Sequence, residues 1–189
     1  MSDFTRTIDF LKALGFDSTT DVYFNVTYTS PDLSSTTYGL LLPPTPETMA
    51  RLSEENQRGC NIFFSIERGN PTQVSTLWAH LHSSDFDKVD VGAGMELARG
   101  RITDHDRFPS FIVSARDALQ VYYVLDEPVT LADDASIQDF ETRLRDLTTE
   151  LGGNPRKHPL RRGSALPGFA YWEAPDPVRI SLANGGWRE

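Results

Sequence analysis

At 189 residues, with 39% apolar side chains that include eleven Phe, six Tyr and three Trp, the chain is long enough to bury a substantial core and suits a single domain over 1–189. A net charge of −9 argues against nonspecific coating of nucleic acid over the whole surface. No apolar run reaches the roughly 20 residues that a membrane helix needs, and the lone cysteine, Cys60, excludes an intrachain disulfide framework. With Met1-Ser2-Asp3-Phe4 lacking the basic-then-apolar order of a signal peptide, the expectation is a cytoplasmic protein without membrane contact.

Phe4, Ile8, Leu11 and Leu14 share one face of a helix read over Thr5 to Leu14, which Gly15 stops. Asp21 to Thr29 alternates Val22/Phe24/Val26/Tyr28 against Tyr23/Asn25/Thr27 and predicts a half-buried strand. Ser30 to Thr37 reads as a polar turn, and Tyr38 to Leu42 as a short apolar run ended by Pro43-Pro44. Thr45-Pro46-Glu47 opens a second helix with a capping hydroxyl, proline at the first position and an acid near the positive dipole end; Gly59 closes it. Strands follow at Asn61 to Glu67 and Val74 to His82. Ser83 to Thr103, with four acids and three glycines, reads as a loop holding one helical turn near Met95 to Arg99. Phe111 to Leu125 reads as a hairpin, its second strand setting Leu119/Val121/Tyr123/Leu125 against Gln120/Tyr122/Val124. The clearest helix is Asp134 to Leu151, with Ile137, Phe140, Leu144, Leu147 and Leu151 in register and Gly152-Gly153 closing it; Val178 to Leu182 adds a last strand. This order describes an α+β fold, a mainly antiparallel sheet flanked by helices.

Three groups carry candidate chemistry. Arg156, Lys157, His158, Arg161 and Arg162 reverse the sign of an acidic chain locally, either as a solvated loop or as a contact to phosphate. His80 and His82, two apart on a strand, share a face and have the spacing of a metal pair. A third ligand would come from Glu67, Asp85, Asp87 or His105, and the alternative is a pair of polar residues in a cleft. Among the aromatics, Trp78 and Tyr123 read as core, whereas Tyr171-Trp172 beside the basic loop reads as a platform for stacking bases.

From Leu52 to Trp172 the order of segments resembles the archaeo-eukaryotic primase superfamily, in particular the RepB-like primase-polymerase domains of plasmid, phage and integrated-element replication proteins. The likeness is carried by the Gly59 turn and Asn61-Ile62-Phe63-Phe64, Leu77-Trp78-Ala79-His80-Leu81-His82, the hairpin ending in Leu125-Asp126-Glu127-Pro128-Val129, and Leu166-Pro167-Gly168-Phe169. It implies an RRM-like core. It also implies catalytic positions at His80 and His82, where the family has two acids that grip magnesium, and at Gln120, where it has a histidine facing the nucleotide phosphates. Magnesium prefers hard oxygen donors, so histidines at the acid positions damage that site. Ser114 retains the family's serine, Ala115-Arg116-Asp117-Ala118 replaces its glycine-rich turn, and the arginine expected before Leu-Pro-Gly is shifted to Arg162 and its neighbours.

The resemblance therefore implies a primase-like module that has lost templated polymerisation. It would bind nucleotide or phosphate through Ser114, Arg116, Gln120, Arg161 and Arg162, and nucleic acid through Arg156, Lys157, Tyr171 and Trp172. The expected partners are single-stranded or primer-template DNA, together with a helicase or another replication protein, since the chain has no Walker-type loop of its own. Two alternatives stand beside it: a pseudo-enzyme that docks on a protein, and an active primase using a divalent metal on rearranged ligands at His80 and His82.

Overall fold

Along Val22–Thr29 (β1) every second residue is apolar, and Val22, Phe24 and Val26 are fully buried while Tyr23, Asn25 and Thr27 on the other face are half-buried. A computed structural model describes residues 4–29, 35–66, 73–115, 117–161, 163–172, 178–179 and 181–184. The chain forms two compact units, one made of 1–71 and 160–181, the other of 72–159 and 182–189.

In the first unit β1 is interior to a four-stranded sheet ordered β2-β1-β3-β7, where β2 is Ser35–Leu42, β3 Cys60–Ser65 and β7 Ser164–Ala165; all three pairings are antiparallel. Register places Val26 between Tyr38 and Ile62, and Phe24 between Leu40 and Phe64. β2 begins earlier than the apolar run suggested because polar Ser35, Thr36 and Thr37 pair with Thr29, Tyr28 and Thr27. Helix α1 (Thr5–Ala13) buries Ile8, Leu11 and the following Leu14, and Phe10 meets the Phe64 ring edge-on at 5.8 Å. Helix α2 (Pro46–Gln57) starts as its residues dictate: the Thr45 hydroxyl accepts from the Thr48 N–H at 3.3 Å and proline occupies the first position. Further on, Leu166-Pro167-Gly168-Phe169 makes a tight turn with Gly168 at φ 89°, Phe169 stacked on Phe4 at 5.1 Å, and the Thr7 hydroxyl donating to the Pro167 carbonyl at 2.9 Å. Two short antiparallel strands, β8 (Ala170–Tyr171) and β9 (Val178–Arg179), follow.

The second unit holds a sheet ordered β10-β5-β6-β4, with β4 Gln73–His82, β5 Phe111–Ser114, β6 Ala118–Thr130 and β10 Ser181–Asn184. β6 outruns the hairpin expected from sequence. It resumes pairing with β4 at Val129 and Thr130 after an irregular stretch that contains Pro128, the one residue unable to donate to a ladder. The expectation of a loop over Ser83 to Thr103 is corrected: α3 (Ser83–Phe86) and α4 (Val91–Thr103) occupy it. Two of the acids that suggested a loop are caps, Asp85 for α3 and Asp90 for α4, the latter accepting from the Ala93 N–H at 3.0 Å. Gly94 is no flexible point, since a Cβ there would run into the Ser83 carbonyl. Met95, Ala98 and Ile102 form a buried stripe that glycines and acids hid. Helix α5 (Asp134–Glu150) is capped by Asp133, which accepts from the Ser136 N–H at 2.8 Å, and buries Phe140, Leu144 and Leu147; Trp78 lies 6.0 Å from Phe140. The last strand expected at Val178 to Leu182 is split into β9 and β10.

Two glycine substitutions should separate in sign. Gly168→Ala forces a side chain into left-handed backbone and to 2.7 Å from the Thr7 hydroxyl, and should cost about 1–2 kcal/mol or more in urea denaturation. Gly100→Ala, inside α4 with open space around its Cα, should stabilise by about 0.5–1 kcal/mol. Burial pushes the Tyr123 hydroxyl up to about 12. The folded state then holds that proton more tightly than the unfolded chain, so stability is intact below pH 10 and falls between about 10 and 12. Tyr123→Phe should flatten that alkaline decline in denaturation curves measured across it.

Candidate phosphate and nucleic-acid interface

The antiparallel register of β4 on β6 sets His80 opposite Gln120, His82 opposite Ala118 and Trp78 opposite Tyr122, and β5 places Val113 beside Gln120 and Phe111 beside Tyr122. One face of three strands therefore carries both histidines and the glutamine. His80 and Gln120 are 9% and 8% exposed, which makes them polar members of a buried surface rather than solvated ones. The fully buried Tyr122 hydroxyl donates to Gln120 Oε1 at 3.1 Å. That bond fixes the amide: the carbonyl oxygen is engaged and the Gln120 NH2 is left to donate elsewhere.

Ser114 does not join this row. It stands opposite Leu119, which in turn faces Leu81, so strand alternation assigns it to the other face. Arg116 and Arg162 lie outside the described residues, as does Glu67. Asp85 and Asp87 are spent on local turns: Asp85 Oδ2 accepts from the His82 N–H at 3.0 Å, and Asp87 Oδ1 from the N–H groups of Val89 and Asp90 at 2.8 and 3.0 Å. The two bonds to Asp87 hold its carboxyl below the usual range. His105 is not brought to His80 either, because its ring lies 6.1 Å from Tyr123, a residue of the opposite face. Among the described residues no group of three or more His, Cys, Asp or Glu side chains is placed to hold a metal ion. His80 and His82 share a face, and Asp85 meets His82 through a reciprocal helix cap, its carboxylate bonded to the His82 main chain.

The basic loop is also changed by folding. Arg156 and Lys157 are exposed, but the Lys157 carbonyl accepts from Arg145 Nη1 at 3.3 Å, and His158 Nδ1 sits 3.7 Å from Glu141 Oε2 on α5. An acid distant in sequence thus stands beside the basic run. Arg161 ends a 3-10 turn, Pro159–Arg161, and belongs to the first unit, which the chain re-enters at Leu160.

In that unit Tyr171 and Trp172 are half-buried, and Tyr171 packs edge-on against Phe63 at 6.1 Å. Two asparagines hold this segment. Asn56 Nδ2 donates to the carbonyls of Cys60 and Ala170 at 2.8 and 2.7 Å, and its Oδ1 accepts from the Ala170 N–H at 2.9 Å. Asn61 repeats the grip two residues on, accepting from the Trp172 N–H at 2.6 Å and donating to its carbonyl at 3.3 Å. Side-chain amides here imitate a β-ladder against alternate residues. Neither asparagine stood out from sequence as functional; the available signal was a polar residue, Asn61, buried in the otherwise apolar run of β3.

No protein-family model and no curated protein matches the sequence. Solved structures do match in shape. The AEP domain of the cyanophage S-2L primase-polymerase superposes with a TM-score of 0.69 at 14% identity, over 98% of this chain and 92% of that one. The chain has a primase-polymerase fold. The primase RepB′ gives 0.61 at 16% identity over 95% of this chain and 56% of its own. The RepB′ catalytic domain, solved in complex with initiator DNA, gives 0.56 at 17% identity over 95% of this chain and 84% of its own. The primase-polymerase fold and its α+β, antiparallel architecture thus agree with the expectation from sequence.

Asn56→Ala should strand two carbonyls and one N–H in buried or half-buried positions and lower stability by about 2–3 kcal/mol in chemical denaturation.

Proposed function

We propose that this chain is a primase-polymerase-like domain of a mobile-element replication protein that binds nucleotide or nucleic-acid phosphate without carrying out templated synthesis. The observation that supports it most directly is the buried His80–Gln120 pair on a primase-polymerase sheet, with Tyr122 holding the Gln120 amide as a donor. Carboxylates at such positions would hold cations. Imidazole and amide N–H groups suit an oxyanion instead, and need no bridging metal to meet it. The exposed Arg156 and Lys157, the Arg161–Arg162 step and the Tyr171–Trp172 segment offer phosphate and base contacts on their respective units. That RepB′ is solved with initiator DNA supports DNA as the polymer to try first. Among the described residues no helix is long and apolar enough to cross a membrane.

The test is fluorescence anisotropy of labelled single-stranded and primer-template DNA at about 50 and 200 mM salt, with and without manganese and nucleotide. If two or more phosphates are contacted, affinity should fall about tenfold across that salt range. Gln120→Ala, and separately Arg161→Ala with Arg162→Ala, should weaken binding by about tenfold each. Chelation of divalent metal should leave binding in place. Metal-dependent dinucleotide synthesis abolished by His80→Ala and His82→Ala would instead establish an active primase on rearranged ligands. Absence of binding in every condition would favour the protein-docking reading, to which the net charge of −9 lends support through attraction of a basic partner such as a helicase.

A further inference from the structure

Leu77 and Tyr123 stand opposite one another on the face of the β4–β6 pair turned away from His80 and Gln120. A cleft of about 480 Å³ opens over them, walled by His105, Asp106 and Arg107 from the loop after α4 and by Leu147 and Glu150 from the last turns of α5. Leu77, Leu147 and the body of Tyr123 make an apolar floor, all three buried. Tyr123 is the anomaly. It is 8% exposed, and its hydroxyl is shielded from solvent with no hydrogen-bond partner among the described residues. Buried hydroxyls are almost always bonded, so one without a partner beneath a cleft points to a group that arrives from outside as the cleft wall gives way. Arg107 and Glu150, both in the cleft wall, are charged groups near enough to act on that hydroxyl. His105 sits beside it: Nδ1 lies 3.2 Å from the Arg107 carbonyl oxygen and 3.3 Å from the Arg107 main-chain nitrogen, and Nε2 is 3.6 Å from Glu150 Oε2.

The donor and acceptor inventory is specific. The Tyr123 hydroxyl and the Arg107 guanidinium offer donors, the Glu150 and Asp106 carboxylates offer acceptors, and the His105 and Tyr123 rings with two leucines offer apolar area. A complementary ligand is flat, with adjacent acceptors along one edge and adjacent donors along another. Guanine has this pattern: O6 and N7 accept from a guanidinium fork, and N1–H with the N2 amino group donates to a carboxylate. Adenine has an amino donor at the position of O6 and no N1 proton. Pyrimidines lack the O6/N7 pair. We propose that the cleft formed by Tyr123, His105, Arg107 and Glu150 is a binding site for a guanine base, as a free nucleoside or nucleotide or as an unpaired base of a strand. It is independent of the phosphate site proposed above, from which the sheet separates it.

Saturation-transfer NMR on the full chain with guanosine, inosine, adenosine and cytidine tests it. Guanosine should bind, inosine, which lacks only the N2 amino group, should bind roughly fivefold more weakly, and adenosine and cytidine should give no signal. Tyr123→Phe, which removes one oxygen and keeps the packing, should weaken guanosine about fivefold or more at unchanged melting temperature, and Arg107→Ala should do the same. A labelled six-residue oligo-dA carrying one central dG distinguishes the two sources: displacement of the strand by guanosine identifies the unpaired base, and its absence identifies the free nucleoside. Guanosine bound no better than adenosine, or bound equally by Tyr123→Phe, would overturn the proposal and leave the hydroxyl satisfied by water alone. Neither result bears on DNA binding through Gln120, so this site and the proposed function fail separately.

Discussion

Everything assigned to the second unit depends on the register between β4 and β6. Side chains alternate along a strand with a period of two, so a slip of one residue would send His80 and Gln120 to the face of Leu77 and Tyr123 and bring Leu81 and Leu119 to theirs. The apolar complement blocks that slip. Leu81, Leu119 and Val121 are essentially inaccessible to solvent, and moving them to the polar row would take them from their apolar neighbours and put imidazole and amide in their place. The sheet acts as a partition: hydrogen-bonding groups on one side are Gln120, Tyr122 and the histidines, and on the other Tyr123, His105 and Glu150.

The strands and the long helix were legible because their periodicities are strong. Val22/Phe24/Val26 and Leu119/Val121/Tyr123 alternate cleanly, and α5 carries apolar residues at regular helical intervals between a capping Asp133 and a glycine pair. α4 was not legible. Its buried stripe uses Gly94 and Ala98, small residues that a periodicity count discounts, and the acid before it, Asp90, serves as its cap. The far end of β6 was missed for a similar reason: Pro128 reads as a breaker, but it falls where the ladder with β4 is interrupted and no N–H is required.

For the site, alternation was sufficient to put His80 with His82 on one face of its strand and Gln120 with Tyr122 on one face of theirs, while the pairing of His80 with Gln120 comes from the register. It was insufficient for Ser114, which ends a four-residue strand one step out of that row, and for His105, whose neighbours are set by α4 and α5 rather than by β4. Nor could a linear reading find Glu141 beside His158, or the paired grips of Asn56 and Asn61, since those partners lie 17, 114 and 111 positions away. Charges and amides acquire their meaning from long-range neighbours, whereas apolar periodicity is local.

Cys60 adds a property of a different kind. It is the only thiol of the chain, it is buried on β3, and burial raises its pKa so that little thiolate is present near neutrality. Its own carbonyl is one of the acceptors gripped by Asn56. Chemical attack on this sulfur must await an excursion in which the β1–β3 edge near Tyr28 and Cys60 parts. The protein therefore carries an internal clock for the breathing of its first unit: the rate at which a thiol reagent consumes Cys60 counts those openings, with no label to introduce and no second cysteine to confuse the signal.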